Sequence, residues 1–272
     1  MAIYLDHNAT SPMHPEVTDA MMPFLRNPTG NPSSLHSFGR MARSAVESAR
    51  TEVADLLGCS SDAVIFTSGG KIPIDMARLD IDAISFSAHK LRGPQGVGAL
   101  VVNRKPRNVL ISGGYQENRL RGGTENVAGI VGLGKAAQVA RLEMAHKKHH
   151  LEQLRDVFEA RLATIPGSVV FGQHAPRLPN TTYFALPYYH GETLLMELDR
   201  AGFALSCGSA CHSVVTEPSH VLTAMGVDDS LALNAIRVSF GMDNSLQDVE
   251  QLAVKLHELV DRLPAVVRQA AV

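Results

Sequence analysis

The sequence predicts an α/β protein, a mostly parallel sheet with crossover helices, followed by a smaller α+β domain. Three observations predict it. Ala63-Val64-Ile65-Phe66, Ala83-Ile84-Ser85-Phe86 and Gly98-Ala99-Leu100-Val101-Val102 are short, near-continuous apolar runs of strand length, as in strands buried on both faces. Amphipathic helical stretches lie before and after them, and helix-then-strand alternation is the mark of crossover connections. After Pro166-Gly167 the texture changes to shorter units. The division predicted is a large domain over 13–145 and a small one over 146–272, joined by 1–12.

Each element has its own signal. His14 to Leu25 carries an apolar stripe at Val17, Ala20, Met21, Phe24 and Leu25, opened by Pro15 in the first turn. Ser37 to Leu57 is a longer amphipathic helix, with Ser37 read as N-cap and Gly58 as terminator. Val127 to about Ile165 is one long helical pattern, in which His146-Lys147-Lys148-His149-His150 reads as a solvated face. Val169-Val170-Phe171, Thr181 to Ala185 and Ile236 to Phe240 read as strands, and Glu192 to Ala201, Pro218 to Met225 and Ser245 to Leu263 as helices. The strands ending at Phe66 and Phe86 are expected to be neighbours through a short connection.

Composition narrows the function classes. With 272 residues, 45% hydrophobic and 19% charged, the chain can bury a substantial core, expected to be aliphatic because Trp is absent and aromatics are 5%. A formal charge of −2 gives no footprint for nucleic acid or an anionic membrane. No apolar run reaches spanning length and no signal peptide is readable, so a cytoplasmic protein is expected. Three cysteines, an odd number, fit a reducing compartment better than a disulfide framework.

Two segments carry chemistry. Ser87-Ala88-His89-Lys90, followed by Gly93-Pro94-Gln95-Gly96-Val97-Gly98, sits where an apolar strand runs out into a turn. A lysine there keeps its stem among apolar neighbours and its amine over a cleft, which suits a Schiff-base lysine; alone, it would read as an ordinary exposed lysine. The second segment is Leu205-Ser206-Cys207-Gly208-Ser209-Ala210-Cys211-His212-Ser213, a loop of small residues that leaves a thiol accessible. Cys207 and Cys211 could be a disulfide, half a metal site, or inert; zinc wants four ligands and no second cysteine pair exists, so no metal is expected.

These segments join others in a recognisable order: Tyr4-Leu5-Asp6-His7-Asn8-Ala9-Thr10-Ser11, Gly30-Asn31-Pro32-Ser33-Ser34-Leu35-His36, Ile65-Phe66-Thr67-Ser68-Gly69-Gly70, Gly113-Gly114-Tyr115-Gln116-Glu117, Arg121-Gly122-Gly123-Thr124-Glu125-Asn126 and Ile236-Arg237-Val238-Ser239-Phe240-Gly241. Over nearly its whole length the chain resembles the cysteine desulfurases of nitrogen fixation and iron–sulfur cluster assembly, within the class V aminotransferase group of pyridoxal-phosphate enzymes. The resemblance implies fold type I (aspartate aminotransferase-like), with one discontinuity. Gly70 is joined directly to Lys71, where the family has on the order of a hundred further residues, a small domain's worth. That stretch carries the ring-stacking histidine and the aspartate that holds the pyridinium nitrogen, so the large-domain sheet is expected to be incomplete.

The resemblance also assigns roles. Lys90 would carry pyridoxal 5′-phosphate and shuttle the α-proton. Ser87, His89 and the turn ending at Gly70 would meet its phosphate. Thr124 resembles the residue that completes the phosphate site from a neighbouring subunit, implying a homodimer. Arg237 resembles the substrate-carboxylate clamp, against the alternative of a partly buried ion pair; Asn8 and Ala9 would line the substrate cleft. Cys211 would take sulfur from L-cysteine as a persulfide for a sulfur-acceptor or iron–sulfur scaffold protein, with Cys207 a bystander. The alternative is a catalytically impaired, internally deleted homologue acting as a dimeric scaffold.

Overall fold

A computed structural model of the chain describes residues 2–28, 30–68, 82–103, 112–207 and 217–264. The chain divides into two compact units, Thr10–Met144 and Met1–Ala9 with Ala145–Val272.

In the unit of residues 10–144, helix α1 (Pro15–Arg26) starts on Pro15, with the His14 ring accepting from the Glu16 amide at 3.3 Å. Helix α2 (Ser37–Leu57) is capped by His36, whose Nδ1 accepts from Gly39 N at 3.2 Å. Ser37, expected as the cap, is instead the first helical residue: the ring one position earlier already satisfies an amide of the first turn. Gly58 ends α2 in the left-handed region at φ 64°, as its composition demands. Val46, Ala49, Val53, Ala54 and Leu57 form the buried stripe of α2. They pack with Val64 and Phe66 of β2 (Val64–Thr67), Phe86 of β3 (Ala83–Ser87), and Ala99 and Val101 of β4 (Gly98–Val102).

The sheet of this unit departs from expectation. Its order is β2-β4-β3, and both ladders are antiparallel, with Phe66 and Phe86 each opposite Ala99. The strands ending at Phe66 and Phe86 run in the same direction but are not neighbours; β4 lies between them. The physical reason is pairing: β4 folds back from β3 as its antiparallel neighbour and offers its other edge to β2. Among the described residues of this sheet neither ladder is parallel, and β2 and β3 share a direction only across β4, so the mostly parallel character expected of it is not seen there.

A buried ion pair locks this unit. Glu117, with a side chain 1% exposed, accepts from Arg50 Nη1 and Nη2 at 2.9 and 3.0 Å and from the Phe66 amide at 2.9 Å. Arg50 Nη1 also donates to the Val64 carbonyl, and its guanidinium lies 4.7 Å from the centre of the Phe66 ring. Burial works against the guanidinium charge, but the Glu117 hydrogen bonds and charge outweigh it and raise the Arg50 pKa. Glu117, Asn118 and Arg119 all have positive φ, at 47°, 56° and 67°. Three successive non-glycine residues in that region are strained, and the buried carboxylate is what holds the turn.

Helix α3 (Val127–Leu162) contains the boundary between the two units. In the other unit, β5 (Val169–Val170), β6 (Thr181–Ala185), β9 (Ala235–Ser239) and β8 (Ser206–Cys207) form an antiparallel sheet in the order β5-β6-β9-β8. Strand β1 (Ile3–Tyr4) pairs in parallel with β7 (Phe203–Ala204). Helices α4 (Gly191–Arg200), α5 (His220–Ala224), α6 (Asp229–Leu233) and α7 (Leu246–Asp261) complete it. Ser245 caps α7 in a capping box with Asp248. One sheet face is apolar: Phe184, Ile236 and Val238 meet Leu154 and Phe158 of α3 and Leu252 and Leu256 of α7. The centre of this core is aromatic rather than purely aliphatic, with the Phe158 ring 5.8 Å from both Phe184 and Phe240, edge to face. Among the described residues no helix is long and apolar enough to cross a membrane.

Removing the Glu117 carboxylate strands a buried guanidinium and the Phe66 amide together. Glu117→Ala is expected to lower the unfolding free energy by about 3–5 kcal/mol, read as a shift of the urea midpoint. A change within 1 kcal/mol would contradict the role given to this pair.

Candidate functional site

Ser87 ends β3 and is 5% exposed; Ala88–Leu91 then form one turn of 3₁₀ helix carrying His89 and Lys90. The chain leaves that turn through Arg92 in the left-handed region at φ 64°. Ala88 N donates to Val97 O and Gly93 N to Ala88 O, so the strand end, turn and following loop form one closed unit. A Cβ on Gly93 would sit 2.8 Å from the Ala88 side chain and 3.1 Å from that of Ala136, so this position excludes larger residues. Residues 10–14 run beside the turn. Ser11 N donates to His89 O, His14 N to Arg92 O, and the Thr10 hydroxyl meets His89 Nδ1 at 3.1 Å. A hydroxyl, an imidazole and an amine thus sit on four consecutive residues at one strand end.

A second group of polar residues lies on the other unit, on the sheet face opposite its main core. Register places Tyr183, Arg237 and Ser206 side by side across β6, β9 and β8. Arg237 Nη2 donates to Asp6 Oδ1 at 2.8 Å, while Arg237 Nε is buried and has no hydrogen-bond partner among the described residues. Two residues along β9, Ser239 Oγ accepts from Asn8 N at 3.0 Å, and Asn8 Nδ2 donates to Thr181 Oγ1 at 2.8 Å. Asn180 Nδ2 donates to Asn8 Oδ1 at 3.1 Å, which fixes the Asn8 side-chain amide. The Tyr183 hydroxyl is also buried, and Ser219 approaches it without meeting hydrogen-bond geometry; burial pushes its pKa up, against the Ser219 hydroxyl and the Arg237 charge.

The structure therefore brings Ser87, His89 and Lys90 together on one turn, and Arg237 and Asn8 together on one sheet face. Thr124 is exposed and lines a cleft of about 620 Å³ walled by Phe24, Leu25, Met41, Glu125 and Asn126, which includes none of residues 87–90. Gly70 and Cys211 lie outside the described residues. Cys59 and Cys207 are free thiols, and burial raises the Cys59 pKa. Among the described residues no cluster of histidine, cysteine and acidic groups is placed to hold a metal. Sequence reasoning missed Asp6 and Thr10, the partners of Arg237 and His89. Both stand in the opening motif at 4–11, and their proximity to Asn8 was the only signal.

A model of the aminotransferase class-V family matches residues 3–71 and 70–252. The chain belongs to that family. It is 32% identical to a cysteine desulfurase of Dictyoglomus turgidum over 96% of this chain and 95% of the relative, and 31% identical to one of Enterobacter agglomerans over 96% and 93%. A solved NifS-like protein superposes with TM-score 0.87 at 26% identity, covering 97% of this chain and all of the other. A NifS-like protein from Rickettsia africae gives TM-score 0.85 at 23% identity. The fold is that of the type I pyridoxal-phosphate enzymes. The two matched segments of the family model meet at residues 70 and 71, and the Dictyoglomus alignment runs to 377 positions against a chain of 272. A domain-sized stretch of these relatives thus has no counterpart here.

Members of this family depend on pyridoxal 5′-phosphate, and the residues present fit its anchoring end. An amine follows a buried hydroxyl and an imidazole on a rigid turn, the donor set that a Schiff base and a phosphate require. Burial, with the Lys90 charge added, holds the His89 pKa below its ordinary value of 6.5. The unfolded chain therefore takes up the proton first. The stability tied to neutral His89 is complete above about pH 6.5 and is lost as pH falls from there through the folded pKa. Urea midpoints compared at pH 7.5 and 5.5 should fall more for the wild type than for His89→Gln; equal pH slopes would contradict this.

Proposed function

We propose that this chain is a pyridoxal-phosphate-dependent cysteine desulfurase that moves sulfur from L-cysteine onto Cys211 as a persulfide and releases alanine. The product would feed an iron–sulfur cluster scaffold or another sulfur-accepting protein in the cytoplasm. The observation that carries this reading is the Arg237 guanidinium. It is anchored through one nitrogen while its Nε–H, buried and unpaired, has an unmet need for an acceptor. A small amino acid's carboxylate supplies one.

Lys90 would hold the cofactor through its amine, with Ser87, His89 and Gly70, and Thr124 of a second copy, donating to the phosphate. The cofactor supplies the electron sink that makes the substrate's α-proton acidic. Arg237 fixes the substrate carboxylate, with Asn8 beside it on the same sheet face. Lys90 Nζ takes the α-proton and returns a proton to carbon. The Cys211 thiolate attacks the substrate sulfur: an S–S bond forms, the C–S bond breaks, and its electron pair stays with carbon. The balance is L-cysteine plus enzyme thiol giving alanine plus enzyme persulfide. A homodimer is supported by the exposed Leu25, Leu35, Phe38 and Met41, a concentration of apolar surface that includes two walls of the cleft beside Thr124.

A second reading is favoured by the break at residues 70–71. The resemblance puts the ring-nitrogen aspartate in the stretch without a counterpart, and without it the electron sink is weakened. On that reading the chain is a dimeric scaffold without activity. Purified protein mixed with pyridoxal phosphate separates the two. A yellow absorption band lost in Lys90→Ala, with alanine formed from L-cysteine and no persulfide in Cys211→Ser, supports the desulfurase; a protein that stays colourless supports the scaffold. Sedimentation should show a dimer that Leu35→Asp with Phe38→Asp converts to monomer, and a monomeric wild type would refute the dimer.

A further inference from the structure

We infer that Asp6 is a positioning residue that holds Arg237 in register for a carboxylate ligand. This rests on the reading of Arg237 as the carboxylate clamp and adds to it the group that sets the clamp's geometry.

Asp6 is placed by backbone rather than by its own side chain. Leu5 N donates to Ala204 O, Ser239 N donates to Leu5 O, and His7 N donates to Ser239 O. These bonds tie residues 5–7 between β7 and β9, and Asp6 bridges Ser239 in parallel. Arg237 lies two residues before Ser239 on the same face of β9. The Asp6 carboxylate is thus delivered to the guanidinium by a fixed ladder, and its single contact, Oδ1 to Nη2 at 2.8 Å, leaves Nε to another acceptor. Both side chains are partly buried, at 24% and 19% exposure, so the pair is only partly screened by solvent.

A merely structural ion pair would use the guanidinium more fully. Buried donors in native proteins are nearly always satisfied, and one left open beside a fixed carboxylate marks a place that a ligand completes. Without Asp6 the long arginine side chain recovers its rotamer freedom, and a ligand must order it again. The Asp6→Asn side chain keeps an acceptor oxygen at the same place and gives up the charge. Asp6→Ala gives up both.

The test follows the Arg237 Nε–H resonance of the full-length ¹⁵N-labelled chain, assigned by its loss in Arg237→Lys, during titration with L-alanine. In the wild type that resonance should move as alanine binds. Asp6→Ala should weaken alanine binding about tenfold, and Asp6→Asn should stay within roughly threefold of wild type. Undisturbed backbone resonances elsewhere show that each variant is folded, and Asp6→Asn carries the test if Asp6→Ala does not fold, since a tenfold loss there would contradict rescue by shape. An unmoved wild-type resonance overturns the clamp and the Asp6 assignment together. A resonance that moves with wild-type affinity in Asp6→Ala overturns the Asp6 assignment alone.

Discussion

One carboxylate holds the unit of residues 10–144 in shape. Glu117 is buried, accepts from both terminal nitrogens of Arg50 and from the Phe66 amide, and so joins helix α2, strand β2 and the turn at 116–119. An isolated buried charge costs far more than folding can supply, so the pair exists only because each member answers the other and the remaining lone pair finds a backbone N–H. The left-handed run at Glu117, Asn118 and Arg119 follows from it. No glycine is there to relieve the strain, and the strain is tolerated because the side chain that anchors the run cannot leave without exposing Arg50 to an apolar interior. Arg50 also stacks on Phe66, which adds a cation–π contact to the same knot.

The sheet of the same unit is built from strands on both sides of the point where the two family-matched segments meet. β2 and β3 stand on opposite sides of the break in sequence, and neither needs the other as a hydrogen-bonding partner. With β4 between them, each keeps a full antiparallel ladder, four residue pairs on one side and five on the other. The core formed by α2 and α3 against this sheet uses residues from both sides of the break.

What the sequence could show was local. Strand ends, the glycine that closes α2, and the lysine turn after β3 all depend on neighbours within a few positions, and their composition announced them. Pairing was harder. Arg237 and Asp6 are 231 positions apart, as are Asn8 and Ser239, and Glu117 meets Arg50 across 67. No period or turn signal reports such contacts, because they are set by how sheets and helices pack, not by propensity. The neighbour relation expected of the strands ending at Phe66 and Phe86 failed for the same reason: apolar runs identify strands but carry no information on order. The His36 cap, one residue before the expected Ser37, shows the finer limit, since any side chain able to accept a hydrogen bond from the first turn competes for that place.

The chemistry divides between two kinds of placement. Ser87, His89 and Lys90 owe their proximity to sequence adjacency on one turn, so they arrive together wherever β3 ends. Arg237 and Asn8 owe theirs to register, which is why each needs a partner to define its orientation, Asp6 for the one and Thr181 with Asn180 for the other. A one-residue slip of β9 would turn Arg237 into the core of Phe158 and Leu252, where no acceptor compensates a guanidinium. The cost of that slip fixes the register more firmly than the polar contacts do. The buried apolar face of β9, through Ile236 and Val238, is therefore what keeps a charged side chain on the polar face, where a carboxylate can meet it.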